Sequence, residues 1–275
     1  MARVYMANGD YEKARPLIEQ SLNLAQTQNV SDEELCYCLL DAAWLYENQG
    51  NFKEAQRLCE LGLSLQKKIY YADHPYIAYT LRNLSSIYQG QGNYRQAKES
   101  LDKAMAILLK SHQPNDPALA SIQVDIARLL VTQGDLVQAR RYYDSAIAAI
   151  IAKYGADHLY TAGVQAGRAK LSLLEGDFQE AQSLIENAIA VQQRMYGENG
   201  YLCVQSWLIA ADVYRAQKDY SKAQTVLQKA LNVVERKQGG TSVLAVRILS
   251  ELDAMHQASG RYAQATDVYG NVAVN

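Results

Sequence analysis

The chain has 275 residues, 49% of them hydrophobic, and its 27 Lys and Arg nearly balance 29 Asp and Glu for a formal net charge of −2. A pI near 6.1 excludes the basic stripe that a nucleic-acid-binding protein needs. No segment reads as a signal peptide or an apolar run of membrane-spanning length, so no membrane partner is expected.

One six-residue pattern organises the chain. It stands at Gly9-Asp10-Tyr11 with Ala14, Gly50-Asn51-Phe52 with Ala55, Gly92-Asn93-Tyr94 with Ala97, Gly134-Asp135-Leu136 with Ala139, and Gly176-Asp177-Phe178 with Ala181. Lys218-Asp219-Tyr220 with Ala223 and Gly260-Arg261-Tyr262 with Ala265 complete the series, the first step being 41 residues and the others 42. A fixed period of this size means a repeat array, here about six and a half repeats in one domain over 1–275. Turns are expected at 9–14, 50–55, 92–97, 134–139, 176–181, 218–223 and 260–265. Gly supplies a left-handed C-terminal cap to a first helix, A. Asn or Asp caps the second, B, the aromatic starts its apolar face, and Ala lets the two helices approach. Lys218 breaks the glycine rule and predicts a strained or differently capped turn.

In chain order, residues 1–8 read as the end of a first helix A, with Tyr5 four residues before its turn, as Tyr46, Tyr88 and Tyr214 stand before theirs. Helix B follows over 11–27 with Ile18 and Leu22 inside. Repeat two pairs helices at 32–49 and 52–69, burying Leu39, Ala42, Ala43 and Tyr46 at spacings of three and four. Repeat three opens Asp73-His74-Pro75, with Pro where a helix needs no N–H, and continues through Leu81, Leu84, Ser85 and Tyr88. Repeat four opens Asn115-Asp116-Pro117. In repeat five, opening Asp157-His158-Leu159, Gln165 and Arg168 replace apolar residues, and Gly163 and Gly167 are expected to interrupt the helix. Trp207, Ala210, Ala211 and Tyr214 restore the pattern in repeat six. Repeat seven carries Leu249, Leu252 and His256. Its second helix is cut short at Asn275, so Leu249, Leu252 and the inner side of 262–272 are expected to lie exposed. Both ends read as unfinished repeats, which suggests a piece of a longer chain or self-association through the ends.

The run His74-Pro75-x-x-Ala78-x-Thr80-Leu81-x-Asn83-Leu84, with aromatic, Gly, aromatic and Ala at the turn, resembles the tetratricopeptide repeat. The 42-residue form with this opening is similar to the repeats of kinesin light chains and their bacterial relatives. The resemblance covers essentially the whole chain. It implies an all-α α-solenoid, a right-handed superhelix of antiparallel helix pairs whose A helices line the concave face. It also implies that Asn83, at the second asparagine of the family's T-L-N-N-L-A motif, holds a bound peptide's backbone; Arg82 replaces the first.

No catalytic constellation appears: neither H-E-x-x-H, G-x-S-x-G, a Walker loop nor G-x-G-x-x-G is present. Asp41 and Asp125 fall two repeats apart, roughly 20 Å at ordinary helix spacings, too far for the ~5–9.5 Å of a hydrolase's carboxylate pair. No cofactor or metal is expected. Cys36, Cys38, Cys59 and Cys203 read as free thiols in a reducing cytoplasm, and the histidines, including His112, as structural. The sequons at Asn29 and Asn83 read as chance matches. Most tyrosines stand at core positions flanking the turns.

Outward positions on the A helices collect Tyr37, Asp41, Trp44 and Glu47 in repeat two, Tyr79, Arg82, Asn83 and Ser86 in repeat three, Asp125 and Arg128 in repeat four and Lys170 in repeat five. Aromatics, amides and cations on one face suit an extended peptide; the alternative is a set of solvated helix faces. The cations Arg82, Arg128 and Lys170 predict an acidic ligand, unless Asp41, Glu47 and Asp125 neutralise them internally. The expected function is a non-enzymatic scaffold that binds a short segment of a partner protein, or else a sensor module of a larger regulator.

Overall fold

A computed structural model describes residues 1–28, 30–111, 116–238 and 242–258. Among these there are thirteen α-helices, one short 3-10 turn and no strand. The chain forms two compact units, Met1–Lys153 and Tyr154–Asn275. The first holds α1 (Ala2–Ala7), α2 (Tyr11–Thr27), α3 (Asp32–Asn48), α4 (Phe52–Ile69), α5 (Pro75–Gly90), α6 (Tyr94–Ser111), α7 (Pro117–Gln133) and α8 (Leu136–Tyr154). The second holds α9 (Leu159–Glu175), α10 (Phe178–Tyr196), the 3-10 turn Tyr201–Cys203, α11 (Val204–Ala216), α12 (Tyr220–Gln238) and α13 (Val243–Ala258). The seventh hexamer, Tyr262 and the helix expected after it lie outside the described residues, as do Asn29, His112 and Asn115.

Each described hexamer makes the same turn. Gly9, Gly50, Gly92, Gly134 and Gly176 have φ of 76°, 75°, 77°, 82° and 83°, which a Cβ would strain. The next residue's N–H then reaches back to a carbonyl of the A helix: Asp10 to Tyr5, Asn93 to Tyr88 and Asp219 to Tyr214 at 2.8 Å, Asn51 to Tyr46 and Asp177 to Ser172 at 2.9 Å, and Asp135 to Leu130 at 3.0 Å. This closure satisfies a carbonyl that the helix end would orphan. The same Asn or Asp caps the B helix: Asn51, Asp135, Asp177 and Asp219 accept from the backbone N–H three residues on. Lys218 adopts the glycine conformation itself, at φ 63°, so that turn is the strained one. Ala14, Ala55, Ala97, Ala139, Ala181 and Ala223 are all fully buried.

The A helices α3, α5, α7 and α9 begin on side-chain caps. Ser31 and Glu34 form a reciprocal capping box. His74 and His158 each accept the N–H two residues on through Nδ1, at 3.2 Å, and stack on Tyr70 and Tyr154 at 4.2 and 4.6 Å between ring centroids. Tyr88 and Tyr214 are buried and donate their hydroxyls to Glu60 and Glu186 of the preceding B helices, at 3.2 and 2.9 Å. In the second unit a single core cluster runs from Ala162 to Met255 around Trp207.

Three expectations need correction. Tyr94 and Phe178 do not start a buried face but stay exposed. Gly163 and Gly167 do not interrupt α9, which is continuous from Leu159 to Glu175. The buried charge there is compensated: Arg168 is 3% exposed, donates to Ser172 Oγ at 2.6 Å and Glu180 Oε1 at 3.0 Å, and lies 3.6 Å from Glu175 Oε2. Finally, Leu249 and Leu252 are buried, because α13 turns them into the cluster that holds Leu227 and Leu231 of α12.

Two glycine exchanges test this account. Lys218→Gly relieves the left-handed strain and is expected to stabilise the protein by about 1 kcal/mol. Gly90→Ala is expected to cost about 1–3 kcal/mol, because a Cβ there would fall 2.3 Å from Cε1 of Phe52. Thermal denaturation followed by circular dichroism checks both signs.

Candidate functional site

The A helices of the first unit bring the expected residues together in two groups. On α3, Tyr37, Asp41 and Trp44 share one face at spacings of four and three; on α5, Tyr76, Tyr79, Thr80 and Asn83 do the same. These faces line a cleft of about 310 Å³, completed by Arg3, Leu40 and Gln66. Tyr37, Trp44 and Tyr79 are 38–40% exposed, and what sets them apart from other exposed rings is that they gather at one cleft. Tyr37 donates its hydroxyl to Glu33 at 3.2 Å, and Tyr70 donates to the same oxygen at 2.9 Å. Burial and the Glu33 carboxylate push the Tyr37 phenol above its ordinary range.

Asp41 sits at the cleft's edge. Arg3 Nε reaches its two carboxylate oxygens at 2.8 and 2.9 Å. Burial nevertheless raises the Asp41 carboxyl, with Arg3 only partly opposing it. The pair is neutral in sum.

The second group lies across α3, α5 and α7. Asp125 is bound by Arg82 through its guanidinium Nε, and by Arg128 at 3.4 Å. Glu47 lies beside the Ser86 hydroxyl, with Arg128 favouring its charge and Asp125 opposing it; burial dominates and raises its carboxyl. Arg82 and Arg128 are therefore not free cations: both contact the one Asp125 carboxylate, and Glu47 is the second acid beside Arg128. Lys170 stands exposed on α9, in the other unit.

Gln66 was not singled out by the sequence reading. It projects from α4, is 4% exposed, and its Oε1 is buried without a hydrogen-bond partner. Ala25, Leu108, Ile150 and Val234 hold the same place relative to their own turns and are all buried. A glutamine in an otherwise apolar column is a signal the sequence carried; Gln192 repeats it on α10, also with an unpartnered Oε1. Arg3, Leu40, Tyr76 and Thr80 were likewise missed.

Reactive chemistry finds little footing here. Burial pushes the Cys36, Cys59 and Cys203 thiols up to about 11, 12 and 11, away from the thiolate that reactivity requires. Among the described residues no cluster of three or more His, Cys, Asp or Glu could hold a metal ion, and no helix is long and apolar enough to cross a membrane.

Helix pairs closed by one turn, repeated at a fixed period, with a lined cleft on the A helices, define a helical-repeat protein. Residues 72–268 match the MalT-like TPR region and residues 1–68 the tetratricopeptide repeat. The chain belongs to the tetratricopeptide-repeat family. No curated protein matches it in sequence. Among solved structures it is similar to a Podosopora anserina kinesin light chain with nearly identical TPR-like repeats, at 23% identity and a TM-score of 0.55, over 76% of this chain and 98% of that one. It is similar to a Rap protein complexed with competence and sporulation factor, at 13% identity and a TM-score of 0.64, over 98% and 93%. The quorum sensor NprR with its cognate peptide NprX aligns at 14% identity and a TM-score of 0.60, over 94% and 72%. These likenesses establish the fold.

Two substitutions probe the site's energetics. Gln66→Leu removes an unpaired buried oxygen and is expected to raise stability by about 1–3 kcal/mol. Because its folded pKa is raised, Glu47 binds more protons folded than unfolded, so its contribution to stability falls as pH rises through that window. Glu47→Gln is therefore expected to exceed the parent in stability at neutral pH and to lose this advantage as pH falls through the carboxylate range. Urea denaturation across pH checks the sign; a Gln variant less stable at neutral pH would contradict it.

Proposed function

We propose that the chain is a non-catalytic interaction scaffold, one array of about six and a half repeats, whose concave groove binds a short extended segment of another protein. The observation that carries this reading is the cleft between α3 and α5. There Tyr37, Trp44 and Tyr79 offer ring faces beside the Asn83 amide, and Asn83 is the residue the family resemblance assigns to a peptide backbone. Two of the similar structures, the Rap protein and NprR, hold a signalling factor or cognate peptide, which supports a peptide as the ligand class. Within the first unit the groove would continue through Arg82, Ser86, Asp125 and Arg128; Lys170 is proposed as a ligand contact on α9 of the second unit. The three deeply shielded thiols suit a reducing cytoplasm.

A second reading has an observation of its own. NprR is a quorum sensor, and the same groove could serve a regulator that reports the peptide to a further domain. Self-association through terminal repeats is a separate proposal; Val4, Leu17 and Leu24 are exposed on α1 and α2, and light scattering over a concentration series checks it.

The scaffold reading is tested with a pool of random hexapeptides, acetylated and amidated at their ends, passed over the immobilised protein. Retention is expected for the parent and is expected to drop about tenfold for Asn83→Ala and for Trp44→Ala, with the melting temperature unchanged. Equal retention by parent and variants would contradict the assignment of this face.

A further inference from the structure

We infer that the cleft between α3 and α5 receives the Lys or Arg side chain of the bound segment, rather than the acidic residue that the A-helix cations suggest. The inference rests on the peptide-binding reading and specifies its chemistry.

Two acceptors, Gln66 Oε1 and the Asp41 carboxylate, and several ring faces meet at the cleft beside the donors Arg3, Trp44 and Asn83. Gln66 is 4% exposed, lines the cleft, and has an Oε1 with no donor. A buried amide oxygen left unpaired is costly, and its column holds Ala25, Leu108, Ile150 and Val234 in four other repeats and a second glutamine, Gln192, in one, so packing alone does not require it. Asp41 already shows what its carboxylate accepts, since Arg3 grips both oxygens from α1. That Arg3 side chain is 60% exposed, which makes it a displaceable guanidinium rather than a buried structural one. Tyr37, Trp44, Tyr76 and Tyr79 complete the walls, and ring faces attract a cation most strongly where water is partly excluded.

An ammonium or guanidinium entering this space would find the Gln66 oxygen, the Asp41 carboxylate and the aromatic faces together. A carboxylate would instead face Asp41 and the same oxygen, with Arg3 as the one cation of the lining and only neutral donors such as Trp44 and Asn83 beside it. The cations that pointed to an acidic ligand, Arg82 and Arg128, share Asp125 and do not line this cleft.

The test sequences the retained hexapeptides and measures one of them by calorimetry. Lys or Arg is expected to be enriched at a single register. Replacing that residue with citrulline or norleucine is expected to weaken binding about tenfold against the parent. The same replacement should have little effect against Gln66→Leu or against Trp44→Leu, an exposed position whose change leaves the core intact. Peptides that are retained, and lost with Asn83→Ala, but show no basic preference or prefer Asp and Glu, would overturn this inference and leave the scaffold reading standing. No retention of any peptide would overturn both.

Discussion

The backbone hydrogen bond that closes each left-handed turn is the constraint on which the rest depends. It recurs at 2.8–3.0 Å in six described repeats, and it fixes both where an A helix stops and the direction in which its B helix leaves. With the turn set, the alanine four residues past the capping residue falls at the closest approach of the two helices and is buried in all six described repeats. A larger side chain there would push the pair apart. Lys218 shows the strength of the constraint: it takes φ 63° although it carries a Cβ. The packing around it, not the local preference of lysine, decides its conformation.

Because the turn and the alanine column settle the packing of each pair, the outward positions of the A helices are free to vary. They carry charge that is balanced locally. Arg82 and Arg128 meet Asp125, and Arg3 meets Asp41. Such partly exposed pairs contribute little to stability, but they offset most of the charge on the face and leave its aromatics and amides as the distinctive chemistry. Buried polarity that does not aid packing is concentrated at a few points. Arg168 is held by Ser172, Glu175 and Glu180, whereas Gln66 keeps an unanswered acceptor beside the cleft.

The fold was legible because period, turn glycine and capping residue all recur, so that each repeat repeats the same inference. Helix limits followed from these residues to within a residue or two, as at Tyr11–Thr27 and Phe52–Ile69. The candidate site was legible in part. Tyr37, Asp41, Trp44, Tyr79 and Asn83 could be placed on one face from helical spacing alone, and they do line one cleft. What spacing cannot show is pairing between helices: Asp125 answers Arg82 from another repeat, and Arg3 reaches Asp41 from a short first helix. Gln66 was overlooked because B helices were read only for their apolar residues. Comparing columns across repeats would have revealed it. The glycines of α9 misled because their helix cost, about 1 kcal/mol each, is small beside the burial of Ala162, Ala166, Ala169 and Leu171 on the same helix.

The central claim is that a peptide lies against the cleft of α3 and α5. A photoreactive benzoylphenylalanine in place of Tyr79 tests it directly, with the same residue in place of Leu109, exposed on α6, as the control. Irradiation with the retained peptide pool should give a cross-linked adduct from the Tyr79 position and none from Leu109. Adducts at Leu109 alone, or equal yields at both positions, would contradict the account.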